Sequence, residues 1–308
     1  MEINRKKKLA AGLSIVSNII LTVLKIITGI ISGSLSIISE AIHSMSDLFA
    51  SVITFFSVMK SSKPADEDHP YGHGKYEDMS GFIEGILIIL AALFIIYEAT
   101  QKIISGEISQ HENILGIAVM FTAVILNIIV SSVLFKVAKE ANSISLYADG
   151  EHLRTDIYSS LGVLLGLLLI KMTGYTILDP IMAILVAALI YKTGYSLSKQ
   201  AFKRLLDYSL PKDEIEGIEN IIKNFIEYAA LKKNTLKARQ VGPSLDIDFV
   251  LQFSGNITIC ECHKICDEIE KQISGIYPNS SISIHSEPIC YSKNCQDTCE
   301  KETCAIAE

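Results

Sequence analysis

The first two hundred positions alternate long apolar runs with short polar breaks, and the last hundred do not. Six runs are long enough to cross a bilayer as helices, which takes about 20 apolar residues. They cover residues 9–31, 35–59, 79–103, 114–138, 144–171 and 177–197. Four read as plain wall. The second and fifth are more polar, and each carries a His-x-x-x-Asp pair: His43 with Asp47, and His152 with Asp156. On a helix, residues four apart share one face, a turn from each other. Past Leu210-Pro211 the period changes. Ile215, Ile218, Ile221, Ile222 and Phe225 mark an amphipathic helix. Residues 236–241 then read as a strand, followed by a turn at Gly242-Pro243-Ser244. Leu245, Ile247, Phe249, Leu251 and Phe253 alternate with Asp246, Asp248 and Gln252 in the next strand. A second helix carries Ile265, Ile269 and Ile273, and residues 281–285 close as a strand.

The pattern predicts an all-α membrane domain of six transmembrane helices over residues 1–208. A cytoplasmic α+β domain of order α-β-β-α-β follows over 209–290, two layers with helices on a sheet. Residues 291–308 form a polar, Cys-containing tail without periodicity. The start, Met1 to Lys8, precedes an apolar run as a signal peptide would. It has no clear small-residue cleavage site, and the run is long enough to span, so a retained first helix is expected.

Basic residues set the expected orientation. Arg5, Lys6, Lys7 and Lys8 precede the first run, and Lys60, Lys63 and Lys75 separate the second from the third. Lys136 and Lys139 close the fourth, and Lys199, Lys203 and Arg204 end the sixth. The other side has little beyond Lys102 and Lys171. This bias predicts a multi-pass integral protein of the cell membrane with both termini in the cytoplasm. Lys25, inside the first run, is the exception, and it needs a carboxylate partner or a path to the interface.

Composition narrows the function. Residues are 49% hydrophobic and 20% charged, with the charge crowded into the ends and a few loops, as in a polytopic protein with a soluble C-terminal part. A net charge of −7 speaks against nucleic acid as a partner. No Gly-x-x-x-x-Gly-Lys-Ser/Thr loop appears, so nothing points to an ATPase. Seven cysteines are an odd number. In a reducing compartment they suggest metal chemistry rather than a disulfide framework.

A His and an Asp facing inward from a membrane helix are costly without partners. Two such helices side by side present two imidazoles and two carboxylates to one point. That N/O set suits a borderline divalent ion, Zn²⁺ first. Protonated imidazole cannot bind metal, so metal ions and protons compete for His43, Asp47, His152 and Asp156. The plainer reading, polar glue between helices, does not explain why the spacing recurs in two helices. An intramembrane zinc hydrolase would need an open coordination position and a general base. Here four ligands are accounted for, and only Glu40 is a candidate base. A membrane metal sensor that does not transport is a third reading.

Outside the spans, His69 and His73 can close on one ion if their loop turns, with Asp66 nearby. Cys260, Cys262, His263 and Cys266 offer soft ligands, and Cys290, Cys295, Cys299 and Cys304 follow. Glu40, Glu84, Asn127 and Asp149 are further polar residues near or within the spans. A water path and helix–helix hydrogen bonds explain them equally well.

These residues together resemble the cation diffusion facilitators, proton-coupled exporters of divalent metal ions. The resemblance covers residues 10–290. It rests on Ser39-Glu40-Ala41-Ile42-His43-Ser44-Met45-Ser46-Asp47, on His69-Pro70-Tyr71-Gly72-His73-Gly74-Lys75-Tyr76-Glu77, on His152-x-x-x-Asp156 and on Ile284-His285-Ser286-Glu287-Pro288. It implies a homodimer in the lipid bilayer, alternating access by rocking of helices, and a metallochaperone-like cytoplasmic domain that senses metal. It implies that His43, Asp47, His152 and Asp156 are the transport site, in the two-His arrangement of zinc-preferring members. It implies a second site at Asp66, His69 and His73, and a charge interlock between Lys75 and Asp207. His263, His285 and Glu287 match cytoplasmic ligands, but Asn234 and Val250 stand where some members carry His. Cys260 and Cys262 would then substitute as ligands. The expected function is proton-coupled efflux of Zn²⁺ from the cytoplasm by a secondary transporter, not an enzyme, with Zn²⁺ as cargo and as regulator. A transporter of the same build for Fe²⁺, Mn²⁺, Co²⁺ or Cd²⁺ is the alternative.

Overall fold

The computed structural model describes residues 2–32, 35–105, 114–173, 175, 177–225, 229–254 and 256–289. The chain divides into two compact units, Met1–Leu205 and Leu206 onward. The first holds six long helices: α1 (Glu2–Ser32), α2 (Leu35–Ser61), α3 (Lys75–Ser105), α4 (Ile114–Ala141), α5 (Ile144–Thr173) and α6 (Leu178–Leu205). At about 1.5 Å per residue each is longer than a hydrocarbon core of about 30 Å. Among the described residues α1, α3, α4 and α6 are long and apolar enough to cross a membrane. The sequence predicts six crossings. Several side chains of α2 and α5 lie outside the described residues, so the crossings expected of these two helices are not among those four.

Within this unit α3 lies along α6, α1 along α2, and α4 along α5. Glycine makes the closest of these approaches. A Cβ on Gly194 would stand 3.0 Å from the carbonyl oxygen of Gly85, and one on Gly85 would stand 2.8 Å from the backbone nitrogen of Ser198. Small residues at a helix crossing bring backbones together where lipid gives apolar side chains no reason to leave it. Large apolar residues such as Phe49, Phe56, Phe94, Phe121 and Leu189 face outward, while serines, carboxylates and histidines are buried inside. That inversion of the soluble pattern follows from the solvent being hydrocarbon. Asn142, with φ of 50°, makes the tight link from α4 to α5. Asn tolerates this left-handed conformation better than most residues.

The second unit is built from α7 (Lys212–Lys223), β1 (Ala229–Leu231), β2 (Lys237–Val241), β3 (Ser244–Phe253), α8 (Ile259–Ile276) and β4 (Ser280–Pro288). Strand β3 is the spine. It pairs antiparallel with β2 along its first half and with β1 at its end, and parallel with β4 along its whole length. The order is α-β-β-β-α-β, one strand more than the predicted α-β-β-α-β. The extra strand is Ala-Ala-Leu, too short for a period of two to show in sequence. Helix α8 starts at a capping box in which Thr258 and Glu261 satisfy each other's backbone N–H groups. Ile218 and Ile222 of α7 and Ile269 and Ile273 of α8 close over Ile247, Phe249, Leu251 and Phe253 of β3.

Candidate metal centre

The i,i+4 spacing places His43 and Asp47 on one face of α2, and His152 and Asp156 on one face of α5. The bundle brings these faces together. His152 Nε2 lies 3.1 Å from Asp47 Oδ1. His43 Nε2 lies 4.0 Å from Asp47 Oδ1 and 4.0 Å from Asp156 Oδ1. One ligand atom each from His43, Asp47 and Asp156 fall within 4.8 Å of one another. Tetrahedral N and O ligands at zinc distances stand about 3.4 Å apart, so small rotamer changes would bring these donors onto one ion. Asp47 and His152 are buried, and the His43 side chain is half exposed. His152 Nδ1 has no hydrogen-bond partner among the described residues. Lys25 lines the same region from α1 and donates to Ser44 Oγ at 2.7 Å.

The polar residues continue along α2 toward Ser61. At that end of the bundle Glu77 of α3 is fully buried and accepts from Lys7 of α1, from Ser61 of α2 at 2.5 Å, and from Ser143 at the start of α5. Sequence reasoning did not single out Lys7, Ser61 or Glu77 for this. The signal was present: Asp47, Ser51, Thr54 and Ser61 fall on one stripe of α2.

The loop between α2 and α3 makes a second cluster. Asp66 Oδ1 lies 3.2 Å from His69 Nδ1, and Asp66 Oδ2 lies 3.3 Å from His73 Nε2. The His69 backbone N–H donates to Asp66 and, with both imidazoles adjacent, holds this carboxyl below its ordinary range. The buried His73 ring has Nδ1 3.2 Å from the Pro64 carbonyl oxygen, which can only accept, so Nδ1 carries a proton. Nε2 then faces the Asp66 carboxylate, either as a second N–H or as a lone pair with a cation between them.

The cytoplasmic candidates are spread over α8 and β4. Residues 285 and 287 share one face of β4, and residue 286 faces the other way. His285 pairs across from Val250 and Glu287 from Gln252. Glu287 accepts from Lys232 at 2.7 Å, and His285 Nε2 is 3.8 Å from Glu287. Cys262 and Cys266 sit on α8 at the other face, 3.3 Å and 3.8 Å from Ser286 Oγ. His263 is exposed and lies 3.5 Å from Asp267 of its own helix, and Cys260 is exposed. Of the expected ligands, Cys262, His263 and Glu287 line one pocket together with Cys266 and Ser286. Asp207 pairs with Arg239 at 3.1 Å within its own unit. The Glu40 side chain and Cys290, Cys295, Cys299 and Cys304 lie outside the described residues.

The family model for the cation efflux transmembrane domain matches residues 12–206, and that for the cation efflux protein cytoplasmic domain matches residues 210–289. The chain belongs to the cation efflux, or cation diffusion facilitator, family. An uncharacterized transporter of Synechocystis sp. is 34% identical over 84% of this chain and 83% of its own length. One of Methanocaldococcus jannaschii is 35% identical over 86% of this chain and 92% of its own. The cation-efflux pump FieF of Shewanella oneidensis is 27% identical over 92% of this chain and 94% of its own. This cation diffusion facilitator is therefore an integral membrane cation efflux transporter rather than an enzyme, with a transmembrane domain followed by a cytoplasmic domain of helices and sheet.

Proposed function

We propose that this facilitator exports Zn²⁺ from the cytoplasm in exchange for protons, as a homodimer in the cell membrane. In this reading His43, Asp47, His152 and Asp156 are the transport site, all six long helices cross the membrane, and both termini are cytoplasmic. The observation that supports it most is that His43, Asp47 and Asp156 have ligand atoms within 4.8 Å of one another, with His152 3.1 Å from Asp47. Two imidazoles and two carboxylates match the ligand preferences of Zn²⁺ and leave no position open for catalytic water. Imidazole binds either a proton or the metal, so a pH difference across the membrane drives loading on one side and release on the other. Asp66, His69 and His73 serve in the same reading as a second, peripheral cation site. Zn²⁺ binding as a regulator falls to the cytoplasmic domain. Cys262, His263 and Glu287 line one pocket there, and a second subunit or the tail would supply the remaining ligands.

The test is Zn²⁺ uptake into proteoliposomes holding the purified protein, with and without an imposed pH gradient. The expected result is flux that rises with an opposing proton gradient and collapses with a protonophore. Flux indifferent to the gradient would refute proton coupling, and faster flux of Mn²⁺ or Fe²⁺ than of Zn²⁺ would refute the zinc assignment.

A further inference from the structure

Between the tetrad and the Lys7–Glu77 end of the bundle lies another polar layer. Asp149 of α5 is three residues before His152, a rise of about 4.5 Å, and Thr54 of α2 is seven residues past Asp47, a rise of about 10 Å. Asp149 Oδ1 accepts from Ser51 at 3.1 Å, and the Ser51 hydroxyl in turn meets Asn18 at 2.6 Å and Ser14 at 3.1 Å. Thr54 donates to Glu84 of α3. Three helices thus hold two carboxyls that lie within electrostatic reach of each other, and both residues have 0% exposure.

Each carboxyl is only half satisfied. Asp149 Oδ2 and Glu84 Oε2 are buried and have no hydrogen-bond partner among the described residues. No ion pair reaches either carboxylate among those residues. The contrast with Glu77, one layer away, is sharp: Glu77 is equally buried and is neutralised by Lys7. A fold that supplies a lysine for one buried carboxylate and none for two adjacent ones has left those two for a mobile cation. The donors here are all oxygen, against two nitrogens in the tetrad. An all-oxygen site holds a borderline ion less tightly than one with imidazoles, so an ion passes downhill from this layer to the tetrad.

We propose that Glu84 and Asp149 form a further cation site inside the bundle, a staging position where a divalent ion sheds water before it moves to His43, Asp47, His152 and Asp156. This deepens the transport-site reading and rests on it. The probe is Mn²⁺, counted by electron paramagnetic resonance on the full-length protein. The proteins are wild type, Glu84→Gln/Asp149→Asn and Asp47→Ala/Asp156→Ala. The two double variants should each lose one bound Mn²⁺, and the first should raise the half-saturating cytoplasmic Zn²⁺ in flux assays about tenfold. Glu84→Asp withdraws the carboxylate by one methylene while keeping its charge, and should weaken that Mn²⁺ about tenfold even if the amide variant fails to fold. Unchanged Mn²⁺ count in Glu84→Gln/Asp149→Asn, or unchanged affinity in Glu84→Asp, would overturn the proposal and leave protons as the neutralising partner. Unchanged count in Asp47→Ala/Asp156→Ala would instead sink the tetrad reading, so the two failures are distinguishable.

Discussion

The Lys7–Glu77 pair allows a quantitative test of how the bundle holds together. Both side chains are almost wholly buried, and Glu77 also takes hydroxyls from Ser61 and Ser143, so it joins α1, α2, α3 and the start of α5. Removing one member of a buried pair strands the other charge, which costs about 3–5 kcal/mol. Glu77→Gln keeps the shape and some hydrogen bonding, so the loss is chiefly the stranded Lys7 ammonium. The control lies close by. Lys6 and Glu140 also pair, at 3.3 Å, but are 47% and 38% exposed, and an exposed pair is worth at most about 1 kcal/mol. Thermal unfolding in detergent, followed by tryptophan-independent dye reporting or by loss of the monodisperse peak, should show a large drop for Glu77→Gln. Glu140→Gln should show almost none. Lys7→Met/Glu77→Met removes both charges and should recover most of the loss. Equal small drops for Glu77→Gln and Glu140→Gln, or a double variant as unstable as the sum of its singles, would refute the reasoning.

Other outcomes follow from the site and the core. His43→Asp should admit harder ions, because carboxylate suits them better than imidazole; an unchanged Zn²⁺ to Mn²⁺ ratio in competition flux would place selectivity elsewhere. Ile269 is fully buried in the cytoplasmic core, and Ile269→Ala should destabilise that domain by about 2–5 kcal/mol in urea unfolding; a loss below about 1 kcal/mol would mean α8 is not packed as described. Burial pushes the Cys266 thiol up to about 11 from an ordinary 9. The native thiol therefore holds its proton more tightly than the unfolded one, and the stability this contributes is full below pH 9 and lost between pH 9 and 11. Iodoacetamide at pH 8 should modify exposed Cys260 well before Cys266, read by mass spectrometry; equal rates would contradict the burial.

Much of this was legible in the sequence, for identifiable reasons. Long apolar runs give the helices of the first unit because hydrocarbon admits few alternatives. His43, Asp47, His152 and Asp156 were readable because a four-residue spacing is a statement about one helix face. β1 was not, because three residues carry no period. Lys7, Ser61 and Glu77 were missed because each lies on a different helix, and only packing turns three scattered polar residues into one cluster. Glu84 and Asp149 were visible as polar residues, but their shared burial and unsatisfied oxygens are properties of the bundle. How the cytoplasmic candidates group was not legible either. Strand alternation puts His285 and Glu287 on one face of β4 and Ser286, beside Cys262 and Cys266, on the other, while the fold brings Cys262, His263 and Glu287 to one pocket.

The central claim is that His43 and Asp47 of α2 and His152 and Asp156 of α5 carry the transported ion. Zinc flux into proteoliposomes under a fixed pH gradient tests it most directly, with wild type, Asp47→Ala and Asp156→Ala reconstituted at equal density. Each variant removes a charged ligand from a four-ligand site, so flux should fall to the level of protein-free vesicles while the proteins remain folded and dimeric by light scattering. Flux near the wild-type rate in either variant would contradict the account.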